Sequence, residues 1–364
     1  MTIMPRACGW GFFMLDIVKR RPLPRGCTFE ESDWHLMSRH WYPVALIREL
    51  EAGPVGTKLL DEPLIIFRGE DGGIVVANDI CPHRGVPLSM GTQTGGGVVC
   101  AYHGLRFGAG GRCVHVPAHP AKGIPDRMHL KTYPHVERYG LIWTCLTAAP
   151  GEQPQPGDIL DVPHWDEPGY QQIVCPWIDI NGFAGRQMEG FLDVAHFAFV
   201  HTDTFGDANN AEVPAYKPRT TEYGFEAEYW STVGNYPIGV SGRGVPDFRW
   251  LRHFRCHVPF SASLEIHFPG ADRLVVVNLA SPVSAKVTRM FAPIARNFDT
   301  DLPVQAVYDF NLRVFHEDKA IVEAQMPEEL PLDPMMEAHI PADMSSLAYR
   351  RLLRDMGLSR FFTS

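Results

Sequence analysis

The sequence predicts an α+β protein in two parts joined by a proline-rich stretch, and three observations carry that reading. Between residues 40 and 146 short apolar segments are broken by glycine. Between residues 222 and 294 apolar and polar residues alternate. Residues 303–325 carry Val304, Val307, Val314 and Ile321 at helical spacing. Strands grouped with a few long helices, in place of strict strand–helix alternation, indicate α+β.

The elements follow in order. Residues 63–68 (PLIIFR) and 73–77 (GIVVA) flank the turn Gly-Glu-Asp-Gly-Gly at 69–73 and read as a hairpin; glycines cluster again at 95–97 and 108–111, and residues 139–146 (YGLIWTCL) form a further apolar strand. Residues 148–169 hold five prolines and almost no periodicity, the pattern of an extended linker. Residues 173–180 lead into a stretch at 182–201 that reads as helical. Segments 222–232, 252–268, 273–280 and 287–294 argue for an antiparallel sheet. The 303–325 helix and a shorter one at 345–356 complete the second part, an antiparallel sheet wrapped on a helix. The expected organisation is an N-terminal extension at 1–34, an all-β unit at 35–148, the linker at 149–169 and a second unit at 170–364.

The chain has 364 residues, 45% hydrophobic and 21% charged, ample for a sizeable core. Its net charge of −9 argues against a nucleic-acid partner, since no basic stripe exists to neutralise phosphates. No apolar run reaches the roughly 18 residues that span a bilayer. Asp16 interrupts the apolar stretch 10–18 and no small-residue cleavage site follows, so the segment up to about Cys27 reads as a loosely ordered extension or an early start codon. The expectation is a soluble, cytoplasmic protein without a membrane or nucleic-acid partner.

Eight cysteines are too sparse for a disulfide scaffold. Cys8, Cys27, Cys113, Cys145, Cys175 and Cys256 stand alone and read as hydrophobic thiols. The other two belong to a pattern. Cys81-Pro-His83 is followed, after sixteen residues, by Cys100-Ala-Tyr-His103. Thiolate and imidazole together suit borderline or soft metals, and two such loops face to face offer four ligands. A structural zinc site is the alternative, but zinc loops more often use paired cysteines, and zinc gives no reason for the glycines and aromatics beside the histidines. Backbone N–H groups in glycine loops hydrogen-bond cluster sulfurs and tune their potential.

A second group lies at Glu189-Gly-Phe-Leu-Asp193-Val-Ala-His196-Phe-Ala-Phe-Val-His201. On an ideal helix Asp193 lies about 60° from His196 and about 80° from His201, but His196 and His201 stand about 140° apart. They cannot chelate one ion from a straight helix, so a bend is required, and it is placed at residues 197–200. The bland alternative is two core histidines. Asp318 falls within the apolar stripe of the 303–325 helix, where an unpaired carboxylate is costly and a cation removes the cost. Glu317 and Glu323 fall off the stripe and are expected to be solvated. Two histidines and one carboxylate form the facial triad of non-haem Fe(II), with positions open for dioxygen.

These two groups, in this order, resemble the oxygenase component of the Rieske non-haem iron oxygenases, over about residues 35–345. Matching pieces include Trp41-Tyr-Pro-Val, both Cys/His loops, Asp-x-x-His-x-x-x-x-His and Glu317-Asp-Lys-x-Ile-Val-Glu-x-Gln. The last phrase, with Phe197-Ala-Phe-Val-His and Asp207-x-Asn-Asn-Ala-Glu, is most similar to the monooxygenase branch of aromatic O-demethylases and methylxanthine N-demethylases. The resemblance implies an all-β [2Fe-2S] domain held by Cys81, Cys100, His83 and His103, then a helix-grip-like catalytic domain. It implies His196, His201 and Asp318 as ligands of a mononuclear Fe(II), and Asp193 as the acid linking that iron to the cluster histidine of a neighbouring subunit. It also implies a homotrimer in which head-to-tail packing brings one subunit's cluster to the next subunit's iron.

With no G-x-G-x-x-G opening a helix after a strand, electrons are expected from an NAD(P)H-dependent flavin/iron-sulfur reductase, with or without a ferredoxin between. The implied activity is hydroxylation or oxidative O- or N-demethylation of a small aromatic or heterocyclic substrate. A ring-hydroxylating dioxygenase and a Rieske electron carrier without oxygenase activity are the alternatives. Many relatives carry Glu-Asn where this chain has Glu189-Gly190, so an amide beside the ligands is missing. The pocket is expected between the 205–300 sheet and the 303–325 helix; Phe199, Phe205, Trp230, Trp250, Phe260 and Phe310 are read as core, and Arg and His residues in 242–257 as either substrate-binding or surface groups.

Overall fold

The computed structural model of the chain describes residues 22–231 and 249–359. Cys8 and residues 242–248 therefore lie outside the described residues. The first part is all-β apart from one short helix and 3₁₀ turns. It contains α1 (Glu31–Met37), β1 (Tyr42–Leu46), β2 (Val55–Leu59), β3 (Glu62–Arg68), β4 (Ile74–Asn78), β5 (Thr92–Thr94), β6 (Gly97–Val99), β7 (Arg106–Phe107), β8 (Cys113–His115), β9 (Thr132–Tyr133), β10 (His135–Arg138) and β11 (Leu141–Thr144). The strands form antiparallel sheets ordered β1-β11-β10, β2-β3-β4-β9 and β5-β6-β7-β8. β3 and β4 are the hairpin expected at 63–77, with Leu64 opposite Asn78 and Arg68 opposite Ile74.

The proline-rich stretch contains no strand, but it is not a free tether. Leu160, Val162 and Trp165 are buried with Tyr139, Trp143 and Phe291 in a core that joins the two parts. Burial of those apolar side chains outweighs the poor local periodicity of the segment. The expected extension is likewise packed from residue 28 onward. Thr28 and Asp61 are hydrogen-bonded, Ser359 N donates to Asp33 Oδ1 at 2.9 Å, and Phe29 and Trp34 join the main core. The apolar spacing of Phe29, Trp34 and Met37 carries that packing.

The second part contains β12 (Gln171–Val174), β13 (Ile178–Ile180), α2 (Ala184–Leu192), α3 (Phe197–Val200), β14 (Arg219–Thr220), β15 (Gly224–Ser231), β16 (Trp250–His257), β17 (Ser261–His267), β18 (Arg273–Ser284), β19 (Val287–Phe291), β20 (Pro293–Arg296), α4 (Val304–Val322) and α5 (Met344–Asp355). One nine-stranded antiparallel sheet runs β12-β20-β18-β17-β16-β15-β14, and β19 pairs with β18 and β13. β16 alternates strictly: Trp250, Arg252, Phe254 and Cys256 are buried, and the residues between them are half-buried. Register then fixes the facing set, because Phe254 stands opposite Leu264, Leu264 opposite Val276, and Ala262 opposite Asn278.

Two helical expectations need correction. The 182–201 stretch breaks earlier than residues 197–200: α2 ends at Leu192, Asp193 is extended (φ −77°, ψ 137°), and 197–200 is itself a helical turn, flanked by His196 and His201. On α4 the buried residues are Phe315 and Val322, whereas Val304 and Ile321 are exposed. The stripe sits one residue further round than the valines suggest, because Phe315 and Val322 fit against Ile178, Ile180 and Met290. Asp318 lies between them.

Candidate functional site

The two Cys/His loops share one geometry. Cys81 N donates to Val86 O (2.9 Å) and Gly85 N to Cys81 O (2.9 Å); Cys100 N donates to Leu105 O (2.8 Å) and Gly104 N to Cys100 O (3.0 Å). Gly85 and Gly104 close the turns at φ +72° and +70°, a region glycine enters without steric cost. Cys81 and Cys100 are buried, while the His83 and His103 rings lie 4.5 Å apart, with His103 and Tyr102 exposed. Burial raises the Cys81 thiol above its ordinary value; the His83 backbone N–H pulls it back and Cys100 adds to the rise. His83 Nδ1 is buried with no hydrogen-bond partner among the described residues, a gap that a metal bond would fill. Two thiols on one side and two imidazoles on the other suit a cluster with chemically different ends.

In the second part, the break after α2 turns His196 back toward His201, and α4 brings Asp318 to meet them. The Nε2 atoms of His196 and His201 are 3.2 Å apart, and Asp318 Oδ1 lies 3.4 Å from the first and 3.1 Å from the second. Ligands about 2.1 Å from one ion and at right angles stand about 3.0 Å from each other, so this triangle fits one transition-metal ion. Among the described residues, this is the group of three such side chains whose ligand atoms lie within 4.8 Å of one another. Burial disfavours the His196 cation, but the carboxylates of Asp193 and Asp318 overcome that and hold the ring up to about 9. Burial raises Asp318, and the two histidines more than reverse it, holding its carboxyl below the ordinary value. Binding of a dication at this charge-paired site would release a proton.

Each imidazole has its own carboxylate. Asp193 accepts from its neighbour Ala195 N (2.7 Å) and stands 3.5 Å from His196 Nδ1. Glu317 corrects an expectation: it is not solvated but accepts from His201 Nδ1 at 2.7 Å and from Thr204 Oγ1 at 2.8 Å. Phe205 stacks on the His201 ring at 4.6 Å. Sequence reasoning missed Glu317 although it falls three residues after Val314 and four before Ile321, on the same stripe as Asp318, and it missed Thr204 because that residue carries no marker of its own. The adjacency Glu317-Asp318 was the available signal.

A cavity opens on this triangle between β17, β18 and α4. Its wall is mainly Phe205, Leu264, Ile266, Val276, Phe310 and Phe315, with Asn278 and Asn311 as amides. Of the aromatics read as core, Phe205 and Phe310 line this cavity, Trp250 and Phe260 are core, and Phe199 and Trp230 are exposed. His253 and Arg255 do not reach it: they project to the opposite face of β16, where His253 meets Glu226 and Arg255 meets Glu265. His257 bonds Gly157 O. A second cavity touches Gly190, Asp193, His196 and Asp318 from the side of α2. At Gly190 a Cβ would meet only Val322 Cγ2, at 3.6 Å, so the missing amide leaves open space there.

The described cysteines outside the loops behave as hydrophobic thiols. Cys113, Cys145, Cys175 and Cys256 are buried and Cys27 is partly so; burial pushes Cys175 up to about 12. No helix among the described residues is long and apolar enough to cross a membrane.

Comparison with known proteins gives two family matches: a Rieske [2Fe-2S] domain over residues 40–134, and the C-terminal domain of the vanillate O-demethylase oxygenase over residues 185–358. The chain is 32% identical over 336 residues to the methylxanthine N1-demethylase NdmA of Pseudomonas putida, covering 87% of this chain and 89% of that protein. The fold superposes on a solved structure of an NdmA QL mutant with theobromine, with TM-score 0.72 and 29% identity over 88% of this chain and 91% of that one. It also superposes on dicamba monooxygenase bound to dicamba, with TM-score 0.74 and 25% identity over 88% and 97%.

Proposed function

Because this chain belongs to the Rieske non-haem iron oxygenases, as an oxygenase component of the demethylating monooxygenase branch, we propose that it removes a methyl group from oxygen or nitrogen of a small aromatic or heterocyclic substrate. The protein carries a [2Fe-2S] cluster and a mononuclear iron, and works with a reductase, dioxygen and a small-molecule substrate. The observation that carries the proposal is the convergence of His196, His201 and Asp318 on one point in the wall of an apolar cavity.

In this reading Cys81, Cys100, His83 and His103 hold the cluster, in a unit at 35–148. His196, His201 and Asp318 hold the iron, in a unit at 170–364. When bound, the cluster supplies electrons singly and the iron supplies dioxygen activation. The residues around them do the rest. Glu317 keeps a proton on His201 Nδ1 and leaves Nε2 free for the metal. The apolar wall excludes water and holds the methyl group beside the metal position. Asp193, partly exposed beside His196, is placed to accept a hydrogen bond from the exposed His103 of an adjacent subunit in a homotrimer.

The overall reaction takes R–O–CH₃, dioxygen, two electrons and two protons to R–OH, formaldehyde and water; an N-methyl substrate follows the same balance. The electron source is an NAD(P)H-dependent flavin/iron-sulfur reductase, with or without a ferredoxin, in the cytoplasm. The test is to supply methoxy- and N-methyl-arenes with a reductase of this class and to measure formaldehyde. Formaldehyde equal to dioxygen consumed supports demethylation. A ring diol without formaldehyde points to dihydroxylation, and no product with any probe contradicts the reading.

A further inference from the structure

Asn278 is the polar residue on the β18 face of the main cavity. Residues 274, 276 and 278 share that face by alternation, while Val275, Val277 and Leu279 point into the core on the other side. Asn278 is only 4% exposed. Its Nδ2 donates to Met290 Sδ at 3.4 Å, and its Oδ1 is buried without a partner among the described residues. Met290 Sδ also accepts from Gln187 Nε2 at 3.2 Å, and the Asn278 orientation described is the one that donates to that sulfur. A buried carbonyl oxygen left in this state is costly, and a ligand that donates to it removes the cost. Asn311, the other amide of the wall, uses its Nδ2 on Val307 O at 2.8 Å. Both amide nitrogens are therefore engaged within the protein.

The charges argue in the same direction. Among the described residues, no lysine or arginine lines the cavity. Arg252 is on the same sheet face but lies behind Phe197, 6.0 Å from that ring. A bound Fe(II) would be balanced by Asp318 and Glu317, so the described residues offer an anion no excess positive charge. We infer that the cavity takes an uncharged, methyl-bearing arene or heteroarene that donates a hydrogen bond from N–H or O–H to Asn278 Oδ1, and that it discriminates against carboxylates. This rests on the site being the oxygenase centre and names the class of substrate it takes.

The test is anaerobic calorimetry on the iron- and cluster-loaded protein with three probes: 3-methoxybenzamide, its N,N-dimethyl analogue and 3-methoxybenzoate. The primary amide is expected to bind at least about tenfold more tightly than either of the others, because only it satisfies the buried oxygen without bringing a charge. In Asn278→Leu, and in Asn278→Ala measured beside it, the preference for the primary amide over the dimethyl analogue falls to within about twofold, while the benzoate stays weakest. Equal or tighter binding of the benzoate, an unchanged preference in both variants, or binding of none of the probes overturns the inference. Failure of the oxygenase reading shows separately, as absence of mononuclear iron from the same sample.

Discussion

In the proposed iron site His201 would present Nε2 to the metal, because its Nδ1 is committed to Glu317, which Thr204 holds in place from the other side. Outer carboxylates of this kind fix the tautomer and raise ligand basicity, and their loss costs about 10- to 100-fold in metal affinity. Glu317→Ala is therefore expected to weaken Fe(II) or Co(II) binding by that factor, read by competition with a chelator. Glu317→Gln, which still accepts through its amide oxygen, loses less. Wild-type affinity in the alanine variant would refute the role. Asp193 differs, since it stands beside His196 but is partly exposed. Asp193→Asn is expected to keep cluster and iron yet lose turnover with the reductase, and wild-type turnover would sink the coupling role.

α2 positions Asp193 at its C-terminal end and is anchored by charge. Arg350 on α5 grips Glu189 through Nε (2.6 Å) and Nη2 (2.8 Å), donates to Pro331 O, and meets Glu337, which Arg186 also holds. Removing one member of such a buried network strands the other charge and typically costs 3–5 kcal/mol, about 10 °C in melting temperature for a unit of this size. Arg350→Met should show that loss in thermal unfolding, and the double variant Arg350→Met, Glu189→Gln should recover much of it. An unchanged melting temperature in the single variant would contradict the anchor. This network was invisible in the sequence, because Glu189 and Arg350 are 161 positions apart and neither has a marked neighbourhood. Strands and helices were readable where one face is buried, as on β16. They were misplaced where two apolar faces compete, as on α4, or where a side chain caps its own backbone and ends a helix, as Asp193 does by accepting from Ala195 N. The four Cys/His residues were readable because their spacing is local. The triad needed a helix more than a hundred residues away.

The first part and the second share one core: Trp34, Met37 and Tyr42 pack with Phe254, Phe260 and Tyr349. His40 lies at that junction. Burial holds it down to about 4, and the nearby His257 and Arg39 add to the depression. A histidine whose folded value lies below its unfolded value near 6.5 stays neutral in the native state while the unfolded chain takes up a proton. Its contribution is complete above about pH 6.5 and is lost as the pH falls toward 4. Urea midpoints should therefore drop between pH 7 and pH 5 in the wild type, and drop less in His40→Gln; parallel losses would remove His40 as the cause. That one chain carries two separate iron sites is tested most directly by iron and acid-labile sulfide per chain in wild type and in Asp318→Ala, both purified without oxygen. The wild type should hold three irons and two sulfides, and the variant two of each with an unchanged visible spectrum. Two irons in both proteins, unaltered by added Fe(II), would contradict it and leave an electron carrier.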